Sequence, residues 1–240
     1  MLAKTTCTRH LNTMNAHVFT FNEHTMHAEP TGALWLPEPH VLVVSDLHFG
    51  KSDRIARRTG TLIPPYENLE TLNRLDADIT RLDPKTVICL GDSFDDLDGV
   101  EAFDDTNRAT LTRLQAGRKW VWIEGNHDPG PVNLGGTHVA EYSIGSVAFR
   151  HIASAAVPEV SGHYHPKHGI AGKGRQKPCF IYDKSRLILP AYGAYTGGLS
   201  ATHPDLRGLF DARAIAVLTG PRAIALPLTA PKLSSAKLGR

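Results

Sequence analysis

Residues 43–52 read VVSDLHFGKS and set Asp46 and His48, a hard oxygen donor and a borderline nitrogen donor, directly after an apolar run. A carboxylate and an imidazole at the end of a core strand are costly to bury unless something of opposite charge meets them. Three later stretches repeat the order of apolar run, small residue and donor side chains: VICLGDSFDD (87–96), VWIEGNHDPG (121–130) and PEVSGHYHPK (158–167). They bring Asp92, Asn126, His163 and His165 to strand ends. His151 closes a further run, SVAFRH (146–151), with His138 as its rival on a neighbouring strand.

The chemistry such a set serves is phosphoryl transfer assisted by two divalent cations about 3.5 to 4 Å apart, which neutralise charge on the transferring oxygens and make water nucleophilic. Asp46 and His48 supply one ion, Asp92 is placed to bridge, and Asn126 gives a neutral carbonyl oxygen to the other. His151, His163 and His165 complete the nitrogen donors. Gly91, Gly125 and Gly162 each stand just before donor positions, where the chain is expected to turn sharply off its strand.

The elements that position these residues follow from periodicity. HVLVVSD, KTVICLGD and KWVWIEGN are short and mostly β-branched, which predicts buried strands. Between them YENLETLNRLDADITRL carries Leu69, Leu72, Leu75, Ile79 and Leu82 at helical spacing, and FDDTNRATLTRLQAG ends on a glycine stop. Strand, helix, strand, helix, strand predicts a parallel sheet covered by helices, with ligands gathered beyond the carboxyl ends of the strands. After residue 136 the runs THVAEYSI, SVAFRH, PCFIYD, RLILP and AIAVLTG, broken by Gly and Pro, predict a mostly antiparallel second sheet. The expected fold class is α/β: two mixed β-sheets packed as a sandwich with flanking helices, in one domain over residues 1–228. The small, polar and basic tail 229–240 is expected to be disordered.

Composition narrows the function classes. The chain has 240 residues, 41% of them hydrophobic, enough for a substantial core. Its net charge of +2 is too small to mark a nucleic-acid binder by itself. The cations are clustered, however: Lys51, Arg54, Arg57 and Arg58 follow the first motif, and Lys167, Lys173, Arg175 and Lys177 follow the last. The three cysteines form no C-x-x-C pair and suit a reducing cytoplasm. No secretory signal and no run of about eighteen apolar residues occurs, so no membrane association is expected. Phe49, Phe94 and Tyr164 are expected to pack around the site, and His24, His27, His168 and His203 to lie on the surface.

The series DLHFG, GDSFDD, GNHDP, RHIAS and GHYHPK resembles the calcineurin-like metallophosphoesterase superfamily. Within it, DLHFGK, LIPPYENLETLNRL, GDSFDD, GHYHPK and above all LPAYGAYTGG (189–198) resemble the bacterial ligase-associated DNA damage response metallophosphoesterases, a family of endonucleases. The resemblance implies one ion on Asp46, His48, Asp92 and His165, and a second on Asp92, Asn126, His151 and His163, both manganese. It makes His127 the general acid facing the leaving oxygen, with Asp128 orienting its ring. Asp95 stands where the redox-active purple branch carries a tyrosine, which argues against a coloured iron centre. The substrate implied is DNA, single-stranded, in a repair setting linked to a DNA ligase and a helicase, with Lys51, Arg54, Arg57 and Tyr195 as contacts. Alternatives are a hydrolase of small cyclic nucleotides or nucleotide pyrophosphates, and an inactive scaffold, which the full ligand set argues against.

Overall fold

The computed structural model describes residues 15–96, 100, 103–130, 133–156, 158–170 and 173–228; the tail expected to be disordered lies outside them. Strands β4 (Val41–Val44), β5 (Thr86–Leu90) and β6 (Lys119–Ile123) run parallel at the centre of a seven-stranded sheet. Strands β1 (His17–Phe21), β2 (His24–Ala28) and β3 (Leu34–Leu36) extend it antiparallel on one side, and β7 (Thr137–Val139) extends it parallel on the other. Thr137–Val139 therefore belongs to the first sheet, not to the second as its position in the chain implied.

The second sheet holds β8 (Tyr142–Ile144), β9 (Val147–Phe149), β10 (Glu159–Ser161), β12 (Lys173–Tyr182), β13 (Arg186–Ile188), β14 (Ile215–Leu218) and β15 (Ile224–Pro227), with β11 (Lys167–Ile170) paired to β12. Strand β10 runs parallel to both β9 and β13, so this sheet is mixed. The helices are α1 (Lys51–Thr59), α2 (Glu67–Leu82), α3 (Asp105–Gln115) and the short α4 (Pro204–Arg207). None among the described residues is long and apolar enough to cross a membrane.

Alternation along the central strands builds two cores at once. Leu42, Val44, Val87, Cys89, Trp120 and Trp122 face the helices and meet Leu72, Leu75, Ile79, Leu111 and Leu114. The intervening Val43, Ile88, Leu90, Val121 and Ile123 face the second sheet and meet Phe149, Val160, Phe180, Leu187 and Val217. With both faces covered, these strands read as continuous apolar runs, as parallel strands do. The helical stripe of α2 departs from expectation at one end, since Leu69 is 52% exposed. His27, expected on the surface, is buried on β2.

Candidate metal centre

The central strands carry the donors to one place because they are parallel. Asp46 and His48 follow β4, Asp92 follows β5, and Asn126, His127 and Asp128 follow β6. Strands β9 and β10, parallel to each other, deliver His151 and then His163 and His165. The loops after β4 and β5 go on pairing beyond the sheet, His48 N–H donating to the Asp92 carbonyl at 3.0 Å and Phe49 N–H to the Ser93 carbonyl at 2.9 Å. Five donors sit in left-handed backbone: Asp46 (φ +53°), His48 (+48°), Asp92 (+45°), His163 (+69°) and His165 (+45°). Such torsions cost a side-chain-bearing residue of order 1 kcal/mol each and concentrate at functional sites.

Two clusters result, Asp46 with His48 and His165, and Asp92 with His151 and His163, each with its ligand atoms within 4.8 Å of one another. In the first, Asp46 Oδ2 accepts from the Ser45 hydroxyl and from His163 N–H, the latter at 3.0 Å. Its Oδ1 is buried and has no hydrogen-bond partner, although His165 Nε2 lies 3.0 Å away. At that spacing both atoms can serve one ion. His48 Nε2 joins them, 3.3 Å from His165 Nε2. In the second cluster His151 Nε2 lies 3.3 Å from Asp92 Oδ2, 3.0 Å from Asn126 Oδ1 and 3.3 Å from His163 Nδ1. Carboxylate, amide oxygen and imidazole donors of this kind fit a pair of borderline-to-hard divalent cations.

Neighbouring groups aim the rings. His151 Nδ1 meets the Leu90 carbonyl at 2.8 Å, and His48 Nδ1 lies 2.8 Å from Asp95 Oδ1, so each Nε2 lone pair is left for an ion. Asp95 is a functional residue the motif reading missed. Its other oxygen holds Arg54 at 2.8 Å, and its backbone carbonyl holds His127 Nδ1 at 2.9 Å. That last contact corrects the role expected of Asp128. The Asp128 carboxylate instead accepts the backbone N–H groups of Ser93, Phe94 and Gly125 at 2.8, 3.2 and 3.1 Å, tying the loops after β5 and β6 together. His127 donates its own N–H to Asp92 Oδ1 at 2.9 Å, and its Nε2 stands 4.0 Å from Asp92 Oδ2.

Burial alone would push the Asp92 carboxyl up, but the His151 hydrogen bond and charge, the His127 amide and the His48 charge bring it down to about 2. Asp46 and Asp95 are also held below the usual carboxylate range, burial again being outweighed, by His165 at the first and by His48 and Arg54 at the second. Asp128 goes the other way, raised to about 6 by burial and by the Asp92 charge against its amide bonds. Burial would lower the His151 imidazole, yet its hydrogen bond to Asp92 and the Asp46 and Asp92 charges lift it to about 8.

The remaining expected residues lie around this centre. His138 stacks on Trp122 with ring centroids 6.2 Å apart, and His151 takes the place for which it was a rival. Lys51 opens α1, Arg54 is engaged by Asp95, and Arg57 Nη2 meets Asp96 at 2.7 Å. Phe49 and Phe94 are buried and pack with Phe103, centroids 5.1 and 5.7 Å from it. Tyr195 is exposed and has a φ of +60°.

Residues 39–191 match the family model for calcineurin-like phosphoesterases. Among solved structures, the nuclease MPE of Pseudomonas putida is 27% identical, with a TM-score of 0.69 over 88% of this chain and 100% of that one. No curated protein sequence matches. With a family model spanning more than half its length, and with the two donor clusters in place, the chain belongs to the calcineurin-like phosphoesterases, metal-dependent hydrolases of phosphoester bonds.

Proposed function

We propose that this protein is a di-manganese phosphodiesterase that cuts DNA, preferentially single-stranded, in DNA repair. The observation that carries the reading is the presence of two donor clusters, Asp46 with His48 and His165 and Asp92 with His151 and His163, with His127 Nε2 4.0 Å from the Asp92 carboxylate. Asp46, His48, Asp92 and His165 would hold one ion and Asp92, Asn126, His151 and His163 the other. Bound there, the ions supply the Lewis acidity that neutralises charge on a transferring phosphoryl group and makes water nucleophilic near neutral pH. The chain's own part is to orient and to move a proton. With Nδ1–H donated to the Asp95 carbonyl, His127 is fixed so that in its doubly protonated form Nε2–H can pass its proton to the departing oxygen, leaving the neutral ring protonated on Nδ1. Lys51 and the exposed Arg175 and Lys177 attract the strand, and Tyr195 offers a face to a base. The nuclease among the solved structures supports a nucleic-acid substrate. The resemblance of the loop motifs supports a cytoplasmic repair setting beside a DNA ligase and a helicase.

One observation favours a second reading, hydrolysis of small cyclic nucleotides or nucleotide pyrophosphates. Arg54 and Arg57 are engaged by Asp95 and Asp96, which thins the cationic path beside the site. A manganese-supplemented panel of linear and circular single-stranded DNA, duplex DNA, cyclic nucleotides and phosphomonoesters decides between them. Cutting of circular single strands is the expected result. Turnover of small diesters with circular DNA left intact removes the endonuclease reading.

A further inference from the structure

The segment 189–198, LPAYGAYTGG, contributes no ion donor, yet its middle is pressed against the first cluster. Tyr192 N–H donates to the Ser45 carbonyl at 2.8 Å and Gly193 N–H to the Asp46 carbonyl at 3.1 Å. These bonds grip the turn in which Asp46 holds its left-handed torsion. A β-carbon on Gly193 would collide with the Leu47 carbonyl and stand 2.9 Å from that of Asp46, so only glycine lets the two segments approach this closely.

Helix α2 holds the gripping segment from behind. The Tyr192 hydroxyl donates to Asp78 Oδ2 at 2.9 Å, and Arg74 Nη1 donates to the Tyr192 carbonyl at 2.7 Å. Ala194 N–H donates to the Thr71 hydroxyl at 3.0 Å. Asp78 is anchored in turn by the Thr31 hydroxyl at 2.6 Å and by Arg81 at 2.7 Å, and Arg81 reaches Glu29 at 2.9 Å. Tyr192, Asp78 and Glu29 are 0%, 1% and 2% exposed, so the centre of the network is closed to a substrate.

We propose that this bracket, Tyr192 and Gly193 backed by Asp78 and Arg74, is a positioning device that presents the Asp46 carboxylate to an ion in the first cluster. The proposal rests on the reading of Asp46 as a ligand. Ser45 and His163 fix one oxygen of that carboxylate, and the direction of the other is set by the backbone turn. The left-handed torsion costs aspartate some energy, even though aspartate tolerates that region better than most residues. The bonds from 192 and 193 hold the turn from one side, while Asp46 N–H on the Gly91 carbonyl at 3.3 Å and His48 N–H on the Asp92 carbonyl hold it from the other. Packing alone would call for the Tyr192 ring and not for its hydroxyl, nor for hydrogen bonds to the ligand's own backbone.

Calorimetric titration of the metal-stripped full chain with manganese tests the bracket. Tyr192→Phe should weaken binding at the first cluster about tenfold, as loss of support behind a ligand does, and leave the second unchanged. The manganese needed for half-maximal rate should rise while the substrate KM holds. Arg74→Met, at a partly exposed side chain, should shift affinity in the same direction without endangering the fold. Wild-type affinity in both variants, or equal weakening of both clusters, overturns the bracket. Asp46→Ala is the control: if it leaves first-cluster binding intact, the ligand reading fails too, whereas its loss beside an unaffected Tyr192→Phe sinks the bracket alone.

Discussion

His127 meets its surroundings at three atoms: its N–H on Asp92, its Nδ1 on the Asp95 carbonyl, and its Nε2 turned toward the space beside Asp92 Oδ2. His127 stands outside both donor clusters, unlike His151, whose Nδ1 is held by a carbonyl in the same way, so we read it as giving a proton and not as binding an ion. His127→Ala should therefore retain full metal content while losing at least about 100-fold in rate on a diester with an alkoxide leaving group. Loss on a nitrophenolate ester should stay below about tenfold, because that leaving group needs no proton in the transition state. Elemental analysis and paired kinetics check this; a missing ion would make His127 a ligand, and equal losses would remove it as the general acid. The donors were legible because each follows an apolar run that has to be a buried strand. Asp95 was not, since its partners Arg54, His48 and His127 are distant in sequence and become its neighbours only when the loops after β4, β5 and β6 stack. Glycine was half-legible: Gly91 has the expected positive φ of 74°, whereas Gly162 has none and is required because a β-carbon would stand 2.6 Å from Asp46 Oδ2.

At the scale of elements, α2 buries Leu72, Leu75, Ile79 and Leu82 against the first sheet while its other face is wet. Leu75→Ala should cost about 2 to 5 kcal/mol in urea unfolding, because nothing flexible can fill the void. Leu69→Ala should stay within about 0.5 kcal/mol, and a large loss there would mean that this end of the helix is covered in solution. Periodicity identified α2, α3 and the three parallel strands. It passed over β1 and β2, whose HVFTF and HTMHA put His17, His24 and His27 at the less exposed positions, where a strand pattern wants apolar residues. Helix α1 was overlooked for a similar reason. Its KSDRIARRT has almost no apolar face, and its start is held by polar bonds, Gly50 N–H to Asn68 at 2.9 Å and Ser52 N–H to Glu67 at 3.0 Å.

For the whole molecule, the metal-free site is held together by protons, and that has a sign. His151 is raised above its ordinary value to about 8, so its protonation stabilises the stripped protein fully below about 6.5 and is lost as pH rises through about 8. An ion needs the neutral imidazole, so manganese affinity should tighten about tenfold per pH unit up to about 8, for one displaced proton, and then level off. The melting-temperature gap between loaded and stripped protein should accordingly widen from about pH 6.5 to 8.5; a constant gap would remove His151 from the ligand set. Each cluster also draws on both sheets, Asp46 and His48 from the first with His165 from the second, and Asp92 from the first with His151 and His163 from the second. His48 and His165 are 117 residues apart in the chain. The order of synthesis then becomes a safeguard: a polypeptide leaving the ribosome has neither cluster complete until β10 and the loop beyond it have emerged, so a chain that ends before His163 is born with neither donor set whole.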